Sequence, residues 1–254
     1  MIQSITTEVD FPLIFILDDW EFNVAKLTRQ EIEEQIRVNG TTLSFVGQDL
    51  SGLDLSTLEL SGSNFSGADL SGANLSGAQV READLSEANL ENANLSAANL
   101  SGSRLIGAKL TGSVLSETYL LKANLAGVDL SGVNMAKSKL DEANLSETIL
   151  KAVNLDRAYL MRANLSGTNL SQANLSQANF KDADLGNADL SQANMRAVFA
   201  EGANFSGAIL SDATLAQATF RRATYDEQTQ WPAGFDPVEA GAVSKKKKKW
   251  FGLF

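Results

Sequence analysis

The chain has 254 residues, 44% of them apolar but only 7% aromatic, with neither Cys nor His, and a formal charge of −10. It is too apolar for a disordered chain, and without thiol or imidazole it has no disulfide, no Ser-His-Asp or Cys nucleophile, and no thiolate or imidazole metal site. Five positive charges adjoin at Lys245 to Lys249, so the rest of the chain carries −15, a body that repels nucleic acid and a tail that attracts anions.

Near the N-terminus, Phe11-Pro12-Leu13-Ile14-Phe15-Ile16-Leu17 is apolar, and no positive charge precedes Lys26. The run is far below the roughly 20 residues of a membrane helix, so signal peptide and membrane anchor are both disfavoured. It reads as a strand or packed segment of a cap, with a partner-binding arm as the alternative. Next, Thr28-Arg29-Gln30-Glu31 has capping-box spacing, Ile32 and Ile36 lie one helical turn apart, and Gly40 follows as a stop. A short helix from about Arg29 to Val38 is predicted.

From Phe45 to Tyr225 an apolar residue recurs at every fifth position without insertion or deletion, giving 37 units, 27 of them centred on Leu. A period of five fits neither a helix nor a plain strand. Two residues before the centre sits Ala in 22 units, and between them lies Asn or Asp in 22. Side chains alternate along extended backbone, so the small residue and the Leu point inward and the Asn or Asp outward. The other two residues, often Ser-Gly as in Ser66-Gly67, have the composition of a corner.

Stacking at a step of twenty aligns Lys122, Glu142, Arg162 and Asp182 with alternating sign, and likewise Lys181, Glu201 and Arg221, whereas a step of fifteen sets Lys122 against Lys137. Twenty also places Phe45 on Phe65, Phe205 on Tyr225, and Ala200 between Phe180 and Phe220. Four walls per coil is therefore the expected geometry.

Units such as Ala68-Asp69-Leu70-Ser71-Gly72 and Ala93-Asn94-Leu95-Ser96-Ala97 resemble the A(N/D)Lxx signature of the pentapeptide-repeat protein family. The resemblance implies an all-β fold, a right-handed quadrilateral β-helix solenoid of about nine coils, with a small N-terminal cap containing the short helix. The stretch from Leu27 to Phe45 is similar to the leader of many cyanobacterial members. After Tyr225 the register breaks, and Trp231 and Phe235 are similar to the terminal segment that closes family members as a lid over the last coil. The chain thus divides into a cap at 1–40, a repeat body at 41–225, a lid or linker at 226–244 and a polybasic-aromatic tail at 245–254.

In that tail Lys245, Lys246, Lys247, Lys248 and Lys249 precede Trp250, Phe251, Leu253 and Phe254. Such a pattern suits an anionic membrane surface, or an acidic, apolar pocket on a protein partner, or simply solvent. On the repeat body, one coil carries Arg104, Lys109, Val114 and Tyr119 where Asn or Asp is usual. Through Tyr119, steps of twenty give Lys139, Tyr159, Asn179 and Phe199, and the neighbouring column carries Leu121 and Met161. This stripe is a candidate partner or self-association site, set against local packing with Lys139 between two tyrosine rings.

No EF-hand, phosphate-binding or dinucleotide motif is present, and a Leu-filled core with no inserted loop offers no pocket, so no enzyme activity, metal or cofactor is expected. The reading is a non-enzymatic scaffold or interaction protein, cytoplasmic or peripheral on a membrane, with a protein partner and no direct nucleic-acid binding. Resemblance to gyrase-protecting members supplies the alternative, a DNA-mimic modulator or protector of DNA gyrase or topoisomerase. Against it, the dimerising helix and protruding loops of such members are missing and the alternating ladders dilute the negative field.

Overall fold

The computed structural model describes residues 26–245. Within them the chain turns at every fifth residue, and every outward residue from Ser44 to Asn204 except Lys109 forms a parallel bridge with the residue twenty positions later, as in Asp54 to Asn74 to Asn94. Four short walls therefore complete one coil, and coils stack at about the 4.8 Å spacing of paired strands. Each wall is a single bridge long. Backbone pairing runs along the stack: the Leu50 N–H donates to the Asp69 carbonyl at 2.7 Å, and the Asn74 N–H donates back to the Leu53 carbonyl at 2.9 Å.

The centres and the small residues before them form one dry column, with Leu70, Leu110, Leu150 and Leu190 all fully buried. A Leu repeated at this spacing buries its whole side chain against the coils above and below, worth roughly 1.5–3 kcal/mol each. Where Ser or Thr replaces the small Ala, the hydroxyl usually donates to a core-facing carbonyl, as Ser103 does to Leu100 at 2.6 Å and Thr168 to Leu145 at 2.9 Å. Phe45 stacks on Phe65 with ring centroids 4.9 Å apart, as the step of twenty requires.

Corners share one geometry. The carbonyl of nearly every centre accepts from the N–H three residues on, as Phe45 does from Gln48 at 3.0 Å, and the second corner residue has positive φ. That is the turn class whose third position favours glycine, which explains Gly47, Gly52, Gly67 and their equivalents. The same conformation is imposed on Thr57, Glu117 and Arg157.

The predicted helix is present as α1, Arg29–Asn39, with the Thr28–Glu31 capping box complete and Gly40 as its stop at φ 79°. It lies under the first coil, burying Ile32 with Leu43 and Leu58. Arg29 ties it there through the carbonyls of Asp54 and Ser56 at 3.0 and 3.2 Å. The first coil alone has Leu at three small-residue positions, Leu43, Leu53 and Leu58, because its core opens toward the helix rather than toward another coil.

At the other end the register slips without ending. Ile209 bridges Gln230 at a step of twenty-one, and β1 (Thr224–Tyr225) pairs in parallel with β2 (Val243–Ser244). The terminal segment thus closes a further, irregular coil, and its aromatics form the expected lid. Trp231 meets Phe205 at 5.9 Å, Phe220 at 5.3 Å, Tyr225 at 5.7 Å and Phe235 at 5.1 Å. The expected direct stacking of Phe205 on Tyr225 is not seen; each ring instead meets the Trp231 indole. Phe11 to Leu17 and Lys246 to Phe254 lie outside the described residues.

Candidate functional site

Two of the four walls are built mainly of amide ladders, and a third mixes Asn and Asp with Lys109, the exposed Ile149 and Ile209. An outward Asn accepts the N–H two residues on and donates its amide to the Asn or Asp one coil earlier. In the column Asn134, Asn154, Asn174, Asn194 each amide donates to its predecessor at 3.1 Å. Such ladders pair one amide N–H of each participating Asn within the wall and leave less to offer a partner.

The fourth wall interrupts this pattern. Along it Tyr119, Lys139 and Tyr159 follow one another in the bridged column, then Asn179 and Phe199. None of the first three can continue an amide ladder, so their side chains stand out from the wall. Tyr119 is 41% exposed, Tyr159 46% and Phe199 54%; Leu121 is also exposed and Met161 half-buried. The Lys139 ammonium lies 4.2 Å from the centroid of the Tyr119 ring. The expected sandwich is therefore one-sided, with Lys139 held on Tyr119. Phe199 stands two coils beyond Tyr159, across the polar Asn179, so the stripe is a compact pair of rings with a separate outlier.

The rings line a shallow groove of about 370 Å³ that also takes in Glu117, Lys137 and Arg157 from the adjoining corner column. Lys137 pairs with Glu117 at 3.1 Å, and Arg157 pairs with its neighbour Asp156 at 3.7 Å. The sequence does not by itself mark Glu117, Lys137 and Arg157 as part of the stripe, although the step of twenty that aligns the tyrosines also aligns these three. Across the wall, Glu142 is held between Lys122, at 3.6 Å, and Arg162, so the expected ladder forms through its first three members, and Asp182 makes no ion pair with Arg162. The second expected ladder, Lys181, Glu201 and Arg221, forms no ion pair among the described residues; both cations are exposed, where pairing gains little, and Glu201 is half-buried.

No helix among the described residues is long and apolar enough to cross a membrane, and none of their acidic clusters could hold a metal ion. Of the tail, Lys245 alone is described; its backbone N–H donates to the Tyr225 carbonyl and its ammonium to Asn204 Oδ1 at 2.7 Å.

The family profile described as "Pentapeptide repeats" matches in eight copies over residues 44–196 and 201–224. Among solved structures the chain is similar to HetL, a pentapeptide repeat protein involved in heterocyst differentiation regulation from the cyanobacterium Nostoc sp. strain PCC 7120. The identity is 31%, over 78% of this chain and 96% of that one, with a TM-score of 0.40. It is also similar to QnrB1, a plasmid-mediated fluoroquinolone resistance protein, at 17% identity over 73% of this chain and 92% of that one, TM-score 0.34. A third is alr5209, a pentapeptide repeat protein from Nostoc, at 33% identity over 52% of this chain and 84% of that one, TM-score 0.18. Comparison with curated protein sequences gave no match.

Proposed function

The chain belongs to the pentapeptide-repeat family, and from that premise we propose that it is a non-enzymatic interaction protein whose fourth wall binds a protein partner. The architecture we assign is the family's right-handed quadrilateral β-helix, about nine coils of repeats between a cap at 1–40 and a closing segment at 226–244. One observation supports the binding wall above others: Tyr119 and Tyr159 stand exposed in one column on either side of Lys139, whereas the exposed apolar side chains on the outward positions of the other walls, Val114 and Ile149, stand singly. Exposed aromatic rings with a cation between them cost solubility and are typical of contact sites.

The site comprises Tyr119, Leu121, Lys139, Tyr159, Met161 and Phe199. The tail from Lys245 to Phe254, outside the described residues beyond its first lysine, is a second docking element, for an anionic membrane surface or an acidic pocket. We place the protein in the cytoplasm, with any membrane contact peripheral and made by that tail. Replacing Tyr119, Tyr159 and Phe199 together by Ser tests the wall. Association with a partner should be lost while the melting temperature stays within a few degrees, since all three point outward. Unchanged association would remove the wall from the proposal. Flotation with vesicles of graded anionic content tests the tail, and binding indifferent to lipid charge and to its lysines would remove the membrane role.

The DNA-mimic alternative is not favoured. A duplex-like field needs unbroken negative charge, whereas the alternating ladder through Lys122, Glu142 and Arg162 cancels it along one corner.

A further inference from the structure

Charge on the rod is segregated by wall, a property visible only once residues are placed at the observed step of twenty. Between residues 41 and 225 there are 13 Lys and Arg, and ten of them lie on the Tyr119 wall or its two bounding corners. Of the 19 Asp and Glu in the same stretch, eight lie there. This wall therefore carries +2, while the rest of the coiled body carries −8.

The cations nearest the rings have binding capacity to spare. Lys139 has no carboxylate within ion-pair distance among the described residues, its ammonium resting on the Tyr119 face instead. Arg157 meets Asp156 at 3.7 Å, beyond hydrogen-bond distance, which leaves its guanidinium able to take a carboxylate of a partner. A second groove of about 510 Å³, lined by Arg81, Glu82, Leu121 and Lys122 among others, begins on the opposite corner of the Tyr119 coil.

We propose that this wall binds an acidic polypeptide segment of the partner, one that carries Asp or Glu side chains interspersed with apolar ones. The inference rests on the wall being a docking site and adds the chemistry of what docks. Carboxylates match the Arg157 fork and the Lys139 ammonium one by one, and the apolar side chains cover the Tyr119 and Tyr159 rings. A phosphate polyanion or an anionic bilayer is attracted by mean field, which a wall of +2 with eight interspersed carboxylates supplies poorly. The acidic walls behind it oppose such surfaces further. An acidic peptide, by contrast, lies within the wall and meets its charges pairwise.

The test uses the full-length chain with Lys245 to Lys249 changed to Gln, so that the tail cannot capture the probe. The probe is a labelled peptide of about twelve residues alternating Glu and Phe, compared by anisotropy with its Gln-for-Glu counterpart and with duplex DNA and phosphatidylserine vesicles. The Glu peptide should bind saturably and about tenfold more tightly than the Gln peptide. Lys139→Gln with Arg157→Gln should weaken it about tenfold, and raising salt from roughly 0.05 to 0.3 M should weaken it too. Equal affinity for the two peptides, indifference to the wall substitutions, or preference for DNA or vesicles would overturn the inference. Should the Tyr119, Tyr159, Phe199 variant lose its partner while the Glu peptide fails to bind, the docking wall stands and only the acidic chemistry falls.

Discussion

At the second corner residue the backbone is left-handed whatever side chain occupies it, from Gly67 at φ 64° to Thr57 at φ 62°. A β-branched residue tolerates that conformation worst, at a cost of roughly 1–2 kcal/mol, whereas glycine's extra freedom in the unfolded chain costs roughly 0.5–1 kcal/mol. Thr57→Gly should therefore stabilise the rod by about 0.5–1 kcal/mol, read as a higher urea midpoint with an unchanged slope. An unchanged or lower midpoint would mean that the Thr57 side chain contributes packing that outweighs the strain. The five-residue clock was legible at this scale because Leu and Ala report burial directly. The corner torsion was not, because Thr57, Glu117 and Arg157 occupy it as well as Gly does.

At the scale of elements, both ends of the stack are held by carboxylates whose affinity for protons is reduced in the fold. Hydrogen bonds from the Thr28 backbone and hydroxyl hold Glu31 below the usual carboxylate range. For Asp226 burial pulls upward, but the N–H groups of Gly207 and Gln228 and the Thr229 hydroxyl prevail and hold it low. Groups depressed in this way stabilise the fold above the unfolded carboxyl value of about 4 and lose that contribution as the pH falls through their lowered values. The melting temperature should thus be flat above about pH 5 and fall steadily below pH 4. A chain with Glu31→Gln and Asp226→Ala should start lower at neutral pH and show a shallower acid slope. Parallel slopes for the two proteins would assign the acid sensitivity to other carboxylates.

Helix α1 was readable from its capping box, since the capping residues are neighbours in sequence. The final coil was only half readable. Trp231 and Phe235 announced a lid, but the continued pairing of Gln230 with Ile209 and of Val243 with Thr224 runs at steps of twenty-one and nineteen that no periodicity marks.

For the whole molecule, sequence and function meet in the step of twenty. It sets Tyr119, Lys139 and Tyr159 in one column, and it also gathers ten of 13 repeat-body cations around them. The aromatic column was legible because rings stand out among Asn and Asp. The charge segregation was not, because the cations sit at both bounding corners as well as on the wall, and only their sum over five residue columns shows it. The same geometry explains why Lys137 and Arg157 join the rings in one groove although they lie twenty residues apart in the chain.

Distance between two spin labels on one corner column tests that geometry most directly, because the chain has no Cys to interfere. Arg81→Cys and Lys181→Cys place labels at exposed corner positions one hundred residues apart. With twenty residues per coil they are five coils apart, and double electron–electron resonance should give a narrow distribution near 24 Å, about 4.8 Å for each coil. A distribution near 32 Å, which about fifteen residues per coil would give, would contradict the stacked column and the single basic-aromatic wall built on it.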